Sequence, residues 1–140
     1  MVSAQTRALL IGKDRHSSKR WGLVAVVLFV VSLGYFAALN AFTRFGWQVH
    51  LLLWWEGYAV LLGAFTAVQA YANDGILLSW ALAFAGILGV ILNYGGIGMT
   101  GQPPDLLKLV IHALVGGFLG AAILGTLGFT IGAATRRLTA

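Results

Sequence analysis

Four long apolar runs, separated by short polar or glycine-rich connections, occupy most of the chain: Trp21 to Phe42, Val49 to Tyr71, Gly75 to Asn93, and Leu106 to Ala134. At about 1.5 Å per helical residue, each can cross a hydrocarbon core about 30 Å thick. The connections are Thr43 to Gln48, Ala72 to Asp74 and Tyr94 to Asp105, and short connections favour antiparallel packing of successive helices. The pattern predicts an all-α fold, a transmembrane four-helix bundle with antiparallel neighbours and Gly/Ala packing faces. The first run is too long for the core of a signal peptide and has no convincing small-residue cleavage site, so it is expected to stay as an anchor helix. In the last connection Pro103 and Pro104 fix an extended approach, and Asp105 puts a carboxylate at the helix start, where it suits the dipole.

Composition sharpens this picture. Of 140 residues, 59% are hydrophobic and only 9% charged, against about a quarter charged in an average soluble domain. After four spans only a basic segment (1–20) and a short tail (135–140) remain, so a single transmembrane domain is expected. The absence of cysteine excludes disulfides, thiolate metal sites and cysteine nucleophiles. The net charge of +5 comes largely from Arg7, Lys13, Arg15, Lys19 and Arg20, just before the first run. A segment of that kind, with Lys13, Arg15, Lys19, Arg20 and the tail residues Arg136 and Arg137, is expected to meet anionic lipid headgroups rather than nucleic acid.

Basic residues also set the direction. Five precede the first run and two follow the last, giving seven on one side, whereas Arg44 and Lys108 are the two on the other. Both termini are therefore expected to be cytoplasmic, in a multi-pass protein of the cell membrane. Trp47, Trp54, Trp55 and Tyr94 then fall toward the outer interface, and Trp21, Tyr71 and Trp80 toward the inner one.

Nineteen glycines fit a membrane bundle, where small residues let backbones approach closely. The fourth run carries Gly116, Gly120, Gly128 and Gly132 in one row, and Gly117, Ala121 and Gly125 in a second. The second run has Ala59, Gly63, Ala67 and Ala70, and the third Ala81, Ala85, Gly86 and Gly89. These faces are expected to pack helices within one chain, or to form a homo-oligomer seam or a contact with other membrane subunits.

The polar residues in or near the membrane are Asn40, His50, Glu56, Asn93, Lys108 and His112, all toward the outer leaflet. Lys108 and His112 continue into Gly116 and Gly120, Glu56 lies on the stripe of Ala59 and Gly63, and Asn93 is one turn from Gly89. Glu56, Asn93, Lys108 and His112 are thus expected to form a buried intramembrane cluster, either a working site or a structural clamp. His50 lies roughly 120° from Glu56 around the helix and is expected to meet headgroups. No phosphate loop, G-x-S-x-G elbow or H-E-x-x-H motif is present, and no catalytic residue, metal or cofactor is expected. Ala4 to Ile11 is apolar enough for a short surface helix.

The stretch AYANDGILLSWALAFAGILGVILNYGGIGMTG, followed by a Gly/Ala-rich last helix ending in TRRL, resembles the small uncharacterised four-span membrane proteins of haloarchaea. The resemblance covers about the last half of the chain and implies an archaeal cell-membrane location; it assigns no catalytic residue. The expected function is that of a structural or interaction subunit of a membrane assembly, without enzymatic activity. The alternative is a homo-oligomeric transporter or channel for a proton, cation or small solute, using Glu56. A third reading, a lipid- or quinone-directed enzyme using the histidines, has no motif behind it.

Overall fold

The computed structural model describes residues 3–46, 54–94 and 105–140. Its elements are α1 (Ala4–Ile11), α2 (Arg15–Arg44), α3 (Trp55–Asn73), α4 (Ile76–Tyr94) and α5 (Leu106–Thr139). The fold is all-α, with no strand among the described residues. The stretch holding α1 and α2, together with α4 and α5, supplies three helical segments long and apolar enough to cross a membrane.

Local chemistry explains the helix ends. Asp14 caps α2: its carboxylate accepts from the backbone N–H of His16 and Ser17 and from Ser17 Oγ at 2.8–3.1 Å. The cap starts α2 six residues before Trp21, inside the basic segment, so the helix is longer than the apolar run. Likewise α5 continues past Ala134 to Thr139 and takes in Arg136 and Arg137, cations that suit its carboxyl end. Asp105 stands at the N-cap of α5 without a side-chain capping bond; the backbone link is Leu109 N–H to Asp105 O at 2.9 Å. Val49 to Leu53, His50 among them, and most of the YGGIGMTGQ loop lie outside the described residues.

The helices are not ordered around the bundle as they are in sequence. Helix α4 packs against α2, α3 and α5, α5 also packs along α3, and α2 and α3 barely touch. The order around the bundle is therefore α2, α4, α5, α3, with an open seam between α2 and α3. Ala25 meets Leu82 and Ala85 near one end of α2, and Asn93 reaches Leu33 farther along, so α2 and α4 run parallel. Gly128 and Gly132 of α5 lie on Thr66 and Ala67 of α3, which makes that pair parallel too. The expectation of antiparallel neighbours holds for α3–α4 and α4–α5, but α2 prefers a nonsequential partner. The reason is the glycines of α4: a Cβ at Gly89 would stand 2.8 Å from Leu33 N, so only glycine admits α2 that closely.

The small-residue face of α5 is used within the chain. The buried line is Ala113, Gly117, Ala121, Gly125, Gly128 and Gly132, with Gly116 and Gly120 at its edge against Ile91 and Ile87. It begins in one row of the sequence pattern and ends in the other, as α5 passes from α4 to α3. The outward face, including Leu114, Phe118, Ile123, Leu127 and Ile131, is bulky, apolar and exposed, as a lipid-facing surface requires.

Candidate functional site

Glu56, Lys108 and His112 are exposed, and the structure does not gather them into a buried cluster with Asn93. Helical phase is the cause. The packed row of α5 runs through Ala113 and Gly117, one residue on from His112 and Gly116, so Lys108 and His112 are turned about 100° off the core. Glu56 is six residues before the buried Leu62, roughly 120° around α3. His112 Nδ1 lies 2.6 Å from Lys108 O, a bond within its own helix. Asn93 alone turns inward: its Nδ2 donates to Leu33 O at 3.1 Å and to Gly89 O at 2.9 Å, tying α4 to α2.

The polar groups that the structure does bring together lie at the other end, where α3 turns into α4. Asp74 is only 4% exposed and has φ 56°, ψ −158°, a backbone region normally left to glycine. Its carboxylate pairs with Arg136 Nη2 from α5, and with Lys13 Nζ at 3.3 Å from the α1–α2 link. Asn73, also buried, has every polar group engaged: its carbonyl accepts from Lys13 N at 2.9 Å, Oδ1 accepts from Asp14 N at 3.0 Å, and Nδ2 donates to Ser18 Oγ at 3.0 Å. Ser18 Oγ lies 2.8 Å from Ile11 O and 2.9 Å from Asp14 O. Gln69 Nε2 donates to Asp74 O, and its Oε1 accepts from Ser79 Oγ at 2.6 Å. Gly12 and Gly75 make the approach feasible: both have positive φ, and a Cβ on Gly75 would stand 2.8 Å from the Ile11 carbonyl carbon.

This clasp joins the α1–α2 link, the α3–α4 turn and the end of α5. It has the features of a structural lock, since its buried amide and carboxylate groups are engaged by this chain. Beside it, the Asp14 carboxyl is held below the ordinary value of 3.8 by the hydrogen bonds of Ser17, side chain first, and of His16. A lowered folded-state pKa means that the cap's contribution is present in full above that ordinary value and is lost as pH falls through the folded value. The Asp14→Ala variant is expected to fray the first turns of α2 at neutral pH, seen as faster amide exchange at Ser17 and Ser18. At pH 2 the exchange difference from wild type should shrink; an undiminished difference would count against the cap.

The third feature is the seam between α2 and α3. A groove of about 450 Å³ runs along it, walled by Leu28, Val31 and Tyr35 on one side and Trp54, Trp55 and Leu61 on the other. Ser32 Oγ and Tyr58 Oη meet there at 2.7 Å, and they lie 2.8 Å and 2.9 Å from Gly86 O of α4. At one end Phe36 stacks on Trp55, ring centroids 5.7 Å apart, and Tyr58 and Tyr94 meet Phe36 edge-on. Such pairs contribute about 0.5–1.5 kcal/mol each beyond area burial. Sequence reasoning passed over Ser32 and Tyr58, because a single serine or tyrosine in an apolar run carries no spacing signal.

Among the described residues, no group of three His, Asp or Glu side chains is placed to hold a metal ion. Compared with protein families, with curated proteins and with solved structures, the chain matches none.

Proposed function

We infer that the protein is a four-span membrane protein with both termini cytoplasmic, acting as a structural or interaction subunit of a membrane assembly. The observation that carries this reading is the packed interior. Leu62, Thr66, Leu82, Ala83 and Ala113 are fully buried between the helices, and the clasp around Asp74 fastens one end. The ionisable residues Glu56, Lys108 and His112 stand outside this interior, so among the described residues these three supply no ionisable path through one copy.

Helix α3 is not among the helices that length and composition alone mark as spans, but Glu56 aside much of its polarity is internal. Gln69 and Asn73 are buried and hydrogen-bonded, and Thr66 Oγ1 donates to Gly63 O at 2.8 Å. Their cost in lipid is therefore offset within the chain, which supports α3 as a span. The ion pairs of Asp74 put the start of α2, the α3–α4 turn and the end of α5 at one end of the bundle. Arg15, Lys19, Arg20, Arg136 and Arg137 concentrate basic charge at that end, which supports a cytoplasmic location and contact with anionic headgroups. Glu56, exposed on this chain near the opposite end, needs water, a headgroup or a partner subunit.

Because the chain has no cysteine, single introduced thiols report topology cleanly. In intact cells an impermeant maleimide is expected to label Phe45→Cys and to reach Arg137→Cys only after permeabilisation. Labelling of both from one side would remove α3 as a span, and labelling of Arg137→Cys alone from outside would invert the orientation. For the subunit role, native membranes solubilised in mild detergent are expected to release the protein as a homo-oligomer or larger complex. A monomer under all mild conditions would overturn the assembly reading.

A further inference from the structure

The groove between α2 and α3 has two properties that together specify an occupant. The first is its hydrogen-bonding inventory. Ser32 Oγ, Tyr58 Oη and Gly86 O form a triangle with three short separations, but the two hydroxyls hold two protons. If both protons go to Gly86 O, both hydroxyl oxygens can still accept. If one hydroxyl donates to the other, the donating oxygen can still accept. In each arrangement an acceptor is left over and no donor is. At this triangle a ligand that donates a proton adds a bond without breaking one, whereas a ketone or ether would have to take a proton already engaged there.

The second property is depth. Ser32 stands midway between Trp21 and Phe42, roughly 15 Å from either end of that apolar run at about 1.5 Å per residue. A phospholipid keeps its polar head at the membrane rim and cannot bring it to Ser32. A lipid-soluble molecule with one small polar group can. The volume of about 450 Å³ lies within the range of small-molecule sites, roughly 300–1,000 Å³, and the remaining wall is almost wholly apolar.

We propose that this groove binds a neutral lipid alcohol, its hydroxyl donating to the Ser32–Tyr58 pair and its hydrocarbon body lying against Leu28, Val31, Trp55 and Leu61. Entry is lateral, from the bilayer, through the seam between α2 and α3, beside the Phe36–Trp55 and Ser32–Tyr58 contacts that are its main links. The full-length protein in phosphatidylcholine nanodiscs is the test system, with 11-bromoundecan-1-ol as probe and its methyl ether and a bromo methyl ketone of equal chain length for comparison. Bromine quenches the fluorescence of the groove tryptophans.

The alcohol should quench saturably, at a concentration roughly three- to tenfold below either comparison compound, the range expected for one added neutral hydrogen bond. The Ser32→Ala/Tyr58→Phe double variant should lose this preference. Leu61→Trp, a change on an exposed apolar position, should fill the groove and abolish saturation for all three compounds. Three results would overturn the proposal: quenching that rises without saturation, equal half-saturation for alcohol, ether and ketone, or an alcohol preference that survives in Leu61→Trp. The last result decides the matter even if the double variant fails to fold.

Discussion

Replacing Arg136 by alanine is expected to destabilise the bundle by about 3 kcal/mol, near the lower end of the range for leaving a buried charge without its partner. The burial of the three groups determines where the effect is greatest. Asp74 is 4% exposed, so losing Arg136 leaves a desolvated carboxylate with only Lys13 beside it. The Lys13 side chain is 63% exposed, and Lys13→Ala should cost no more than about 1 kcal/mol, as for a surface pair. Asp74→Ala should fall between these, because Arg136 retains some exposure and can turn to water. Asp74→Gly should be milder than Asp74→Ala by about 1 kcal/mol, since glycine tolerates φ 56°. Denaturant unfolding in mixed micelles, followed by tryptophan fluorescence, gives the four values. Equal losses for Arg136→Ala and Lys13→Ala would show that the buried carboxylate does not set the scale. The Asp74→Asn/Arg136→Gln pair should regain much of what Arg136→Ala loses, because no buried charge is then left over.

The legibility of this clasp in the sequence was limited by how its parts are distributed. In the sequence Asn73 and Asp74 are only part of the short connection Ala72 to Asp74 between two apolar runs. What makes them a buried node is the return of Gly12 and Lys13 from 60 residues upstream and of Arg136 from 62 residues downstream. No local period encodes those meetings. A clue was present all the same: the chain has only four acidic residues, and one of them sits in the shortest connection, with Gln69 and Ser79 five residues to either side. The helices themselves were legible because apolar length is a strong signal, and the extensions of α2 and α5 were not, because caps and basic tails continue a helix beyond its apolar part. The polar cluster failed through phase. Rows of glycine at steps of four drift by about 40° per step, so the row containing Lys108, His112 and Gly116 and the row through Ala113 and Gly117 are rival faces until neighbouring helices select one. Asn93 is the instructive exception: it lies one turn from Gly89, whose missing side chain admits α2, so the glycine brought the amide to its partner.

Gly132→Ala is expected to be among the most damaging single-methyl substitutions in the chain, costing about 2–3 kcal/mol, with Gly128→Ala close behind. The added carbon at 132 would fall on the carbonyl oxygen of Ala67 and stand 2.9 Å from Ala70 Cβ. The obstacle is mostly backbone, which cannot rotate aside, so α3 and α5 must separate. At 128 the new methyl would meet Thr66 Oγ1 and Cβ and stand 3.0 Å from Gly63 O, again across the α3–α5 seam. Gly120 differs in kind, since its added carbon meets the mobile end of Ile87, and Gly120→Ala should cost under about 1.5 kcal/mol. Gly34, on the exposed face of α2, has nothing within 4 Å of an added Cβ. Gly34→Ala should therefore be neutral or stabilising by up to about 1 kcal/mol, the difference in helix propensity. The order Gly132, Gly128, Gly120, Gly34, measured as unfolding midpoints in one detergent, separates packing within the chain from packing between chains. If Gly34→Ala instead lowered the midpoint as much as Gly132→Ala, and only where the protein is oligomeric, the face of α2 would be an assembly seam. The four values thus show which small residues hold the bundle closed and which remain for a neighbour.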